Sequence, residues 1–95
     1  MCTIKIKDLI DGRSFPDAGA VLYDNIVSNI DAVDTISIDM SDVDALPSMF
    51  LNMSIGRFID NFGFEKLKEK VVFKKINKSQ AARIKDYILK VRTSK

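Results

Sequence analysis

ISIDMSDVDALPSMF, residues 36–50, is the stretch that decides the fold. Ile36, Ile38 and Met40 alternate with Ser37 and Asp39, and with Thr35 just ahead of them. That period of two predicts a strand over Thr35 to Met40, one face packed and the other at least partly polar. Its β-branched content supports the assignment. The strand runs into SDVDALPSM, a loop rich in Asp with Pro47 near its end. A helical stripe of Leu51, Ile55, Phe58 and Phe62 follows, closed by Gly63. Ser48 lies close to the start of that helix.

Upstream, Thr3 to Lys7 alternates in the same way, with Ile4 and Ile6 on one face and Lys5 and Lys7 on the other, and Leu9 and Ile10 extend the apolar run. Gly12 breaks the pattern. Ser14 then offers an N-cap oxygen, and Pro16 stands in the first helical turn, where its missing N–H is harmless. A helix is expected from about Pro16 to Asn29, burying Leu22, Ile26 and Ile30 with Val27 and Tyr23 alongside. Downstream, Phe64 to Lys70 is short and charged. Val71 to Ile76 reads as a third strand, and Asn77 to Ser79 offer caps for a last helix from Gln80 to Arg92 that buries Ala81, Ile84, Ile88 and Val91.

Strand and helix therefore alternate three times, and right-handed crossovers would place the helices against one face of the sheet. The expected fold is α/β, a small mixed or mainly parallel sheet of three to four strands, with a fourth strand near Leu9 or Gly12 to Phe15. No repeat, linker or low-complexity stretch divides the chain, so its 95 residues, 46% of them hydrophobic, form one domain over 1–95. So small a domain has little interior for a deep pocket, which directs recognition to the surface.

Cys2 is the single cysteine, a usage that suits a reducing cytoplasm. No apolar run approaches the roughly 18 residues needed to cross a bilayer, and the first twelve residues carry charges where a signal peptide needs its apolar core. The expected location is cytoplasmic, with no membrane partner. Net charge is +2, yet residues 1–62 hold four Lys/Arg against ten Asp/Glu and residues 63–95 hold eleven against three. Such a split fits a nucleic-acid face, two halves that attract one another, or solvated helix faces.

With no histidine, no second thiol, no Gly-rich phosphate loop and no cysteine pairs at metal-ligand spacing, the chain lacks the usual general base, nucleophile activator and metal ligand. Asp39, Asp42 and Asp44 lack the glycine and distal glutamate of an EF-hand loop. No enzyme activity, cofactor or metal is expected.

Residues 36–50 resemble the signature of STAS domains, the sulphate-transporter and anti-sigma-factor-antagonist fold. Asp39 matches the aspartate at the strand end, Val43 and Asp44 the loop pair, and Ser48 the serine that can be phosphorylated in the antagonist branch. The stretch from Ser48 to Gly63, SMFLNMSIGRFIDNFG, is similar to an uncharacterised bacterial STAS-like branch with a Phe-rich helix ending in Phe-Gly. The resemblance implies a non-catalytic regulatory module whose partner is an ATP-binding kinase of the anti-sigma type. Two positions depart from the antagonist pattern: Pro47 replaces the usual aspartate before the serine, and Met49-Phe50 replace the small Ser-Gly pair after it.

Two readings of the serine loop stand side by side. Ser48 can cap the helix by accepting from an orphan backbone N–H. Phosphorylated, it would be favoured by the helix dipole and opposed by Asp42 and Asp44. Asp42, Asp44, Pro47, Ser48, Met49, Phe50 and Met53 form the expected partner-binding surface, in which Met and Phe supply an adaptable apolar patch; equally, Met49, Phe50 and Met53 can simply widen the core. A different class of function, nucleic-acid or phosphate binding, would use Lys74, Lys75, Lys78, Arg83, Lys85, Lys90, Arg92 and Lys95. The seven-residue spacings within that set are also those of a solvated helix face, and no aromatic platform accompanies them.

Overall fold

The computed structural model describes residues 2–44 and 46–93, and of Arg92 and Thr93 the backbone alone. In chain order it contains β1 (Cys2–Lys5), α1 (Ile6–Ile10), α2 (Phe15–Asn29), β2 (Ile36–Asp39), α3 (Ser48–Leu51), a π-helical segment (Asn52–Gly56), α4 (Arg57–Phe62), α5 (Phe64–Lys70), β3 (Val71–Lys74) and α6 (Lys78–Thr93). The three strands are parallel in the order β1-β2-β3, registered as Ile4, Ile38, Phe73 and as Lys5, Asp39, Lys74. Parallel neighbours need long crossovers. Helices α1 and α2 supply one, α3 to α5 the other.

Alternation sorts the side chains of the sheet onto two faces. Cys2, Ile4, Ile36, Ile38, Val71 and Phe73 share the face that belongs to the hydrophobic core. Thr3, Lys5, Val72 and Lys74 point the other way and are exposed. The central strand departs from expectation. Ser37 and Asp39, on its polar face, are buried because a strand stands on either side of them.

β1 is shorter than the alternation of Thr3 to Lys7 predicts. The chain turns helical at Ile6, which is wholly buried, and Leu9 and Ile10 pack on the core from α1 instead of continuing the strand. Gly12, at φ +73°, serves the turn that follows. Among the described residues there is no fourth strand. The segment from Leu9 to Phe15 is helix, turn and the start of α2.

Helix α2 starts where its caps place it: the Ser14 hydroxyl accepts from the Asp17 N–H at 3.4 Å, with Pro16 in the first turn. Leu22, Ile26 and Ile30 are buried as the stripe predicts. Gly19 lets α2 come close to α3, because a Cβ there would stand 2.6 Å from the Phe50 carbonyl oxygen and 2.9 Å from Met53 Cβ.

The helix expected after Pro47 is interrupted by the π-helical segment. One extra residue in a turn advances the buried face, so Ile59 joins Leu51, Ile55 and Phe58 in the core while Phe62 is left 41% exposed. Ser54 lies within this segment and donates its buried hydroxyl to the Phe50 carbonyl at 2.8 Å, a back-bond that loosens a helix. Gly63, at φ +89°, ends α4.

The charged stretch from Phe64 to Lys70 is helical and buries Leu67. β3 ends at Lys74, short of Ile76, because Lys75 adopts the left-handed φ of 54°. Helix α6 opens on a reciprocal cap, Gln80 N–H donating to Asn77 Oδ1 at 2.8 Å and Asn77 N–H to Gln80 Oε1 at 3.1 Å. Of its expected stripe, Ile84 is buried, Ile88 and Val91 are half-buried and Ala81 is exposed, so this helix only partly seals the sheet. No helix among the described residues is long and apolar enough to cross a membrane.

Candidate functional site

The site is the segment that leaves the C-terminal end of β2 and enters α3. Asp39 Oδ1 accepts from the Ser41 N–H at 2.8 Å, closing the first turn of the loop. The Ser41 hydroxyl above all, then its N–H, hold this carboxyl below the ordinary carboxylate range; they outweigh the upward push of partial burial, and Lys75 and Lys5 add charge in the same direction. Lys75 Nζ stands 3.9 Å from Asp39 Oδ2. Asp42 then takes φ +60°, a left-handed conformation that a short polar side chain tolerates.

From there the loop is held by α6. Gln80, almost wholly buried, donates through Nε2 to the carbonyls of Val43 and, at 3.3 Å, of Asp44. Arg83 Nε donates to the Leu46 carbonyl at 2.6 Å. A loop that follows a parallel strand has no ladder to satisfy its carbonyls, and these two side chains take that place. Leu46 is buried in the core, which fixes the far end.

Pro47, not Ser48, is the N-cap of α3. It has extended geometry (φ −72°, ψ 160°) and offers no side-chain bond, and Ser48 is the first helical residue. The expectation that the Ser48 hydroxyl caps the helix is therefore corrected. Ser48 is exposed and lines a cleft of about 380 Å³ between α3 and α6, with Arg83, Asp86, Tyr87 and Lys90 on the opposite wall. Tyr87 donates to Asn52 Oδ1 at 2.6 Å; its phenol is pushed above the ordinary value, first by burial and then by Asp60.

The apolar residues of the expected docking surface separate. Met49 is 56% and Met53 36% exposed, whereas Phe50 is wholly buried and belongs to the core, which removes it from any contact surface. Its direction is set by helical spacing: Phe50 faces α2, and its carbonyl lies against Gly19. Asp42 and Asp44 are exposed and Pro47 is half-buried. Phe15 was not singled out in the sequence, yet it is 41% exposed and lines a small hollow beside Asp42, Val43 and Asp44. It precedes Gly19 by one helical turn and so shares the face of α2 that meets α3. Farther along, Arg57 lies 4.2 Å over the Tyr23 ring, and Asn61 Nδ2 donates to the Tyr23 hydroxyl at 3.0 Å, tying α4 to α2.

Lys74 and Lys75 lie at the end of β3 beside Asp39, Lys78 opens α6, Arg83 holds the loop, and Lys85 lines a separate hollow between α6 and β3. Arg92 is described in its backbone alone, and Lys95 lies outside the described residues. Among the described residues no three His, Cys, Asp or Glu side chains are grouped to hold a metal ion.

The clamping role of Gln80 carried one signal in the sequence, the Asn77-to-Gln80 spacing of a reciprocal cap. Nothing in the sequence linked Arg83 to Leu46, 37 residues away. No curated protein and no solved structure shows a significant match to the chain. Residues 18–81, from the end of the first turn of α2 to the end of the first turn of α6, match the family model described as STAS-like domain of unknown function (DUF4325), and the chain belongs to that family.

Proposed function

We propose that the chain is a non-catalytic, cytoplasmic regulatory module that docks a protein partner on the surface formed by Phe15, Met49 and Met53, bordered by Asp42 and Asp44. The observation that carries this reading is the exposure of Met49 and Met53, the latter packed against Gly19 of α2, and of Phe15 beside Asp42 and Asp44. Thioethers repack at little cost, so such a surface accepts a partner without a preformed pocket. Carboxylates at its border select a partner with basic groups and steer its approach.

Ser48 is the control point of this surface. A phosphate on its hydroxyl would share the cleft with Arg83 and Lys90, and a dianion competes well for guanidinium. Arg83 also holds the Leu46 carbonyl. Modification therefore acts on the loop through Arg83 as well as through repulsion from Asp42 and Asp44. The resemblance of residues 36–50 to the antagonist signature makes an ATP-binding kinase of the anti-sigma type the partner to test.

Calorimetric titration of such a kinase, taken from the same genome, tests the reading. Met49→Lys and Met53→Lys should each weaken binding at least tenfold, and Ser48→Asp should weaken it measurably. Lys78→Glu with Lys85→Glu should leave it unchanged. Loss only on changing those lysines would instead support an anionic partner such as nucleic acid.

A further inference from the structure

The hollow between α6 and β3 is apolar, about 500 Å³, and lined by Val72, Phe73, Ile76, Ile84, Ile88 and Leu89 among others. Val72 is 36% and Leu89 47% exposed. It opens along an unfinished sheet edge, because among the described residues β3 pairs with β2 on one side alone. The Met40 N–H donates to the Lys74 carbonyl at 2.9 Å, so Lys74 and Val72 turn their backbone groups toward β2, and Val71 and Phe73 turn theirs outward. The Val71 N–H is taken by the Leu67 carbonyl. The Phe73 N–H and the carbonyls of Val71 and Phe73 have no hydrogen-bond partner among the described residues.

We propose that this edge receives an extended segment of a partner protein, with apolar residues at alternate positions and acidic residues at its flanks. Backbone pairing with Phe73 and Val71 would add a fourth strand, and alternate side chains would fill the hollow. Charge selects the occupant. Residues 64–93, which build both walls, carry ten Lys/Arg against three Asp/Glu, and Lys85 lines the hollow itself. The same charge disfavours a second copy: antiparallel self-pairing of β3 through its outward groups sets Val71 against Phe73 and Lys70 against Lys74, and like charges directly opposite one another repel. This inference concerns a different face from the methionine surface and stands or falls without it.

The probe is a synthetic nonapeptide, Glu-Asp-Val-Thr-Val-Thr-Val-Asp-Glu, titrated into the isotopically labelled full chain and followed by amide and methyl NMR, beside the same core flanked by lysines and a version with both threonines changed to proline. The acidic peptide should shift the Phe73 amide and the Val72, Ile88 and Leu89 methyls, slow exchange of the Phe73 N–H, and bind at least tenfold more tightly than the lysine-flanked one. The proline version should not bind. Val72→Asp should abolish binding. Lys85→Glu, at an exposed position that leaves the core intact, should narrow the preference between the two flanks and decides the matter if Val72→Asp fails to fold. Equal affinity for both flanks, shifts centred on Met49 and Met53, no binding at millimolar peptide, or a concentration-dependent dimer that covers Val72 would each overturn the proposal.

Discussion

The Tyr87 hydroxyl donates to Asn52 Oδ1 at 2.6 Å and occupies the space a Cβ on Gly56 would need. One phenol thus bonds the first residue of the π-helical segment while filling the gap left by its last. Tyr87→Phe should cost about 1 kcal/mol through the lost hydrogen bond. Gly56→Ala should cost about as much, because the ring must swing aside to admit a methyl group. The double variant should be more stable than the sum of the two losses predicts, since Phe removes the atom that clashes. Urea unfolding of the four proteins measures this coupling, and strict additivity would show that the two groups do not meet.

Gly19 presents the harder case. Its added Cβ meets a backbone carbonyl oxygen at 2.6 Å and Met53 Cβ at 2.9 Å, neither of which is the free end of a side chain. Gly19→Ala should therefore cost about 3 kcal/mol, more than Gly56→Ala, although helix propensity alone favours alanine. Partner binding should weaken with it, because separating α2 from α3 shifts Met53, which packs against Gly19, within the proposed docking surface. Unfolding midpoints of the two alanine variants decide the order.

The element order, the parallel sheet and the stripe of α2 were legible because each rests on local periodicity: Ile36 and Ile38 alternate, and Leu22, Ile26 and Ile30 recur at helical spacing. The replacement of Phe62 by Ile59 was hidden, since a π turn changes the period without changing composition. Helix α5 was hidden for a related reason: in Phe64 to Lys70 two apolar residues make too thin a stripe. The candidate loop was legible as a site, whereas its attachment was not, because Gln80 and Arg83 reach it across some 37 residues of chain. Phe50 and Met49 are neighbours in the sequence and alike in chemistry, and only the placement of α2 tells which one is buried.

Gln80 and Arg83 should govern the order of the loop. Gln80→Ala leaves the Val43 carbonyl without its donor and should cost about 1 to 3 kcal/mol. Arg83→Ala should cost less in global stability, since the Leu46 carbonyl can turn to water. Both should speed amide exchange in residues 41–46 by at least tenfold while leaving α2 protected. Uniform protection of the loop in both variants would show that Leu46 burial suffices to hold it.

Asp39 should make the fold sensitive to acid. Its carboxyl titrates below the ordinary 3.8 in the folded chain, so the stability it contributes is complete above that value and disappears as pH falls through the lowered one. Asp39→Asn should lower stability at pH 7 and flatten its dependence on pH in the acid limb. Ser41→Ala, which removes the foremost cause of the shift, should move the limb of the intact carboxyl toward higher pH. Urea midpoints between pH 2 and 7 test both, and an unchanged acid limb in Asp39→Asn would assign it to other carboxylates.

At the alkaline end the sign reverses. Burial, and then Asp60, hold the Tyr87 phenol above its ordinary 10.0, so the folded chain favours the protonated form. That contribution is complete below about pH 10 and is lost as pH rises through the raised value, when the phenolate can no longer donate to Asn52. The wild-type chain should lose stability more steeply above pH 10 than Tyr87→Phe, whose difference from wild type should shrink there. Because Tyr87 walls the same cleft as Ser48, a phosphate on Ser48 should raise the Tyr87 titration further, unless Arg83 and Lys90 neutralise the dianion first. Ultraviolet titration of the phenol in the wild type and in Ser48→Asp separates these outcomes: a raised midpoint means that the added charge is felt across the cleft, and an unmoved one means that the basic residues of α6 have already answered it.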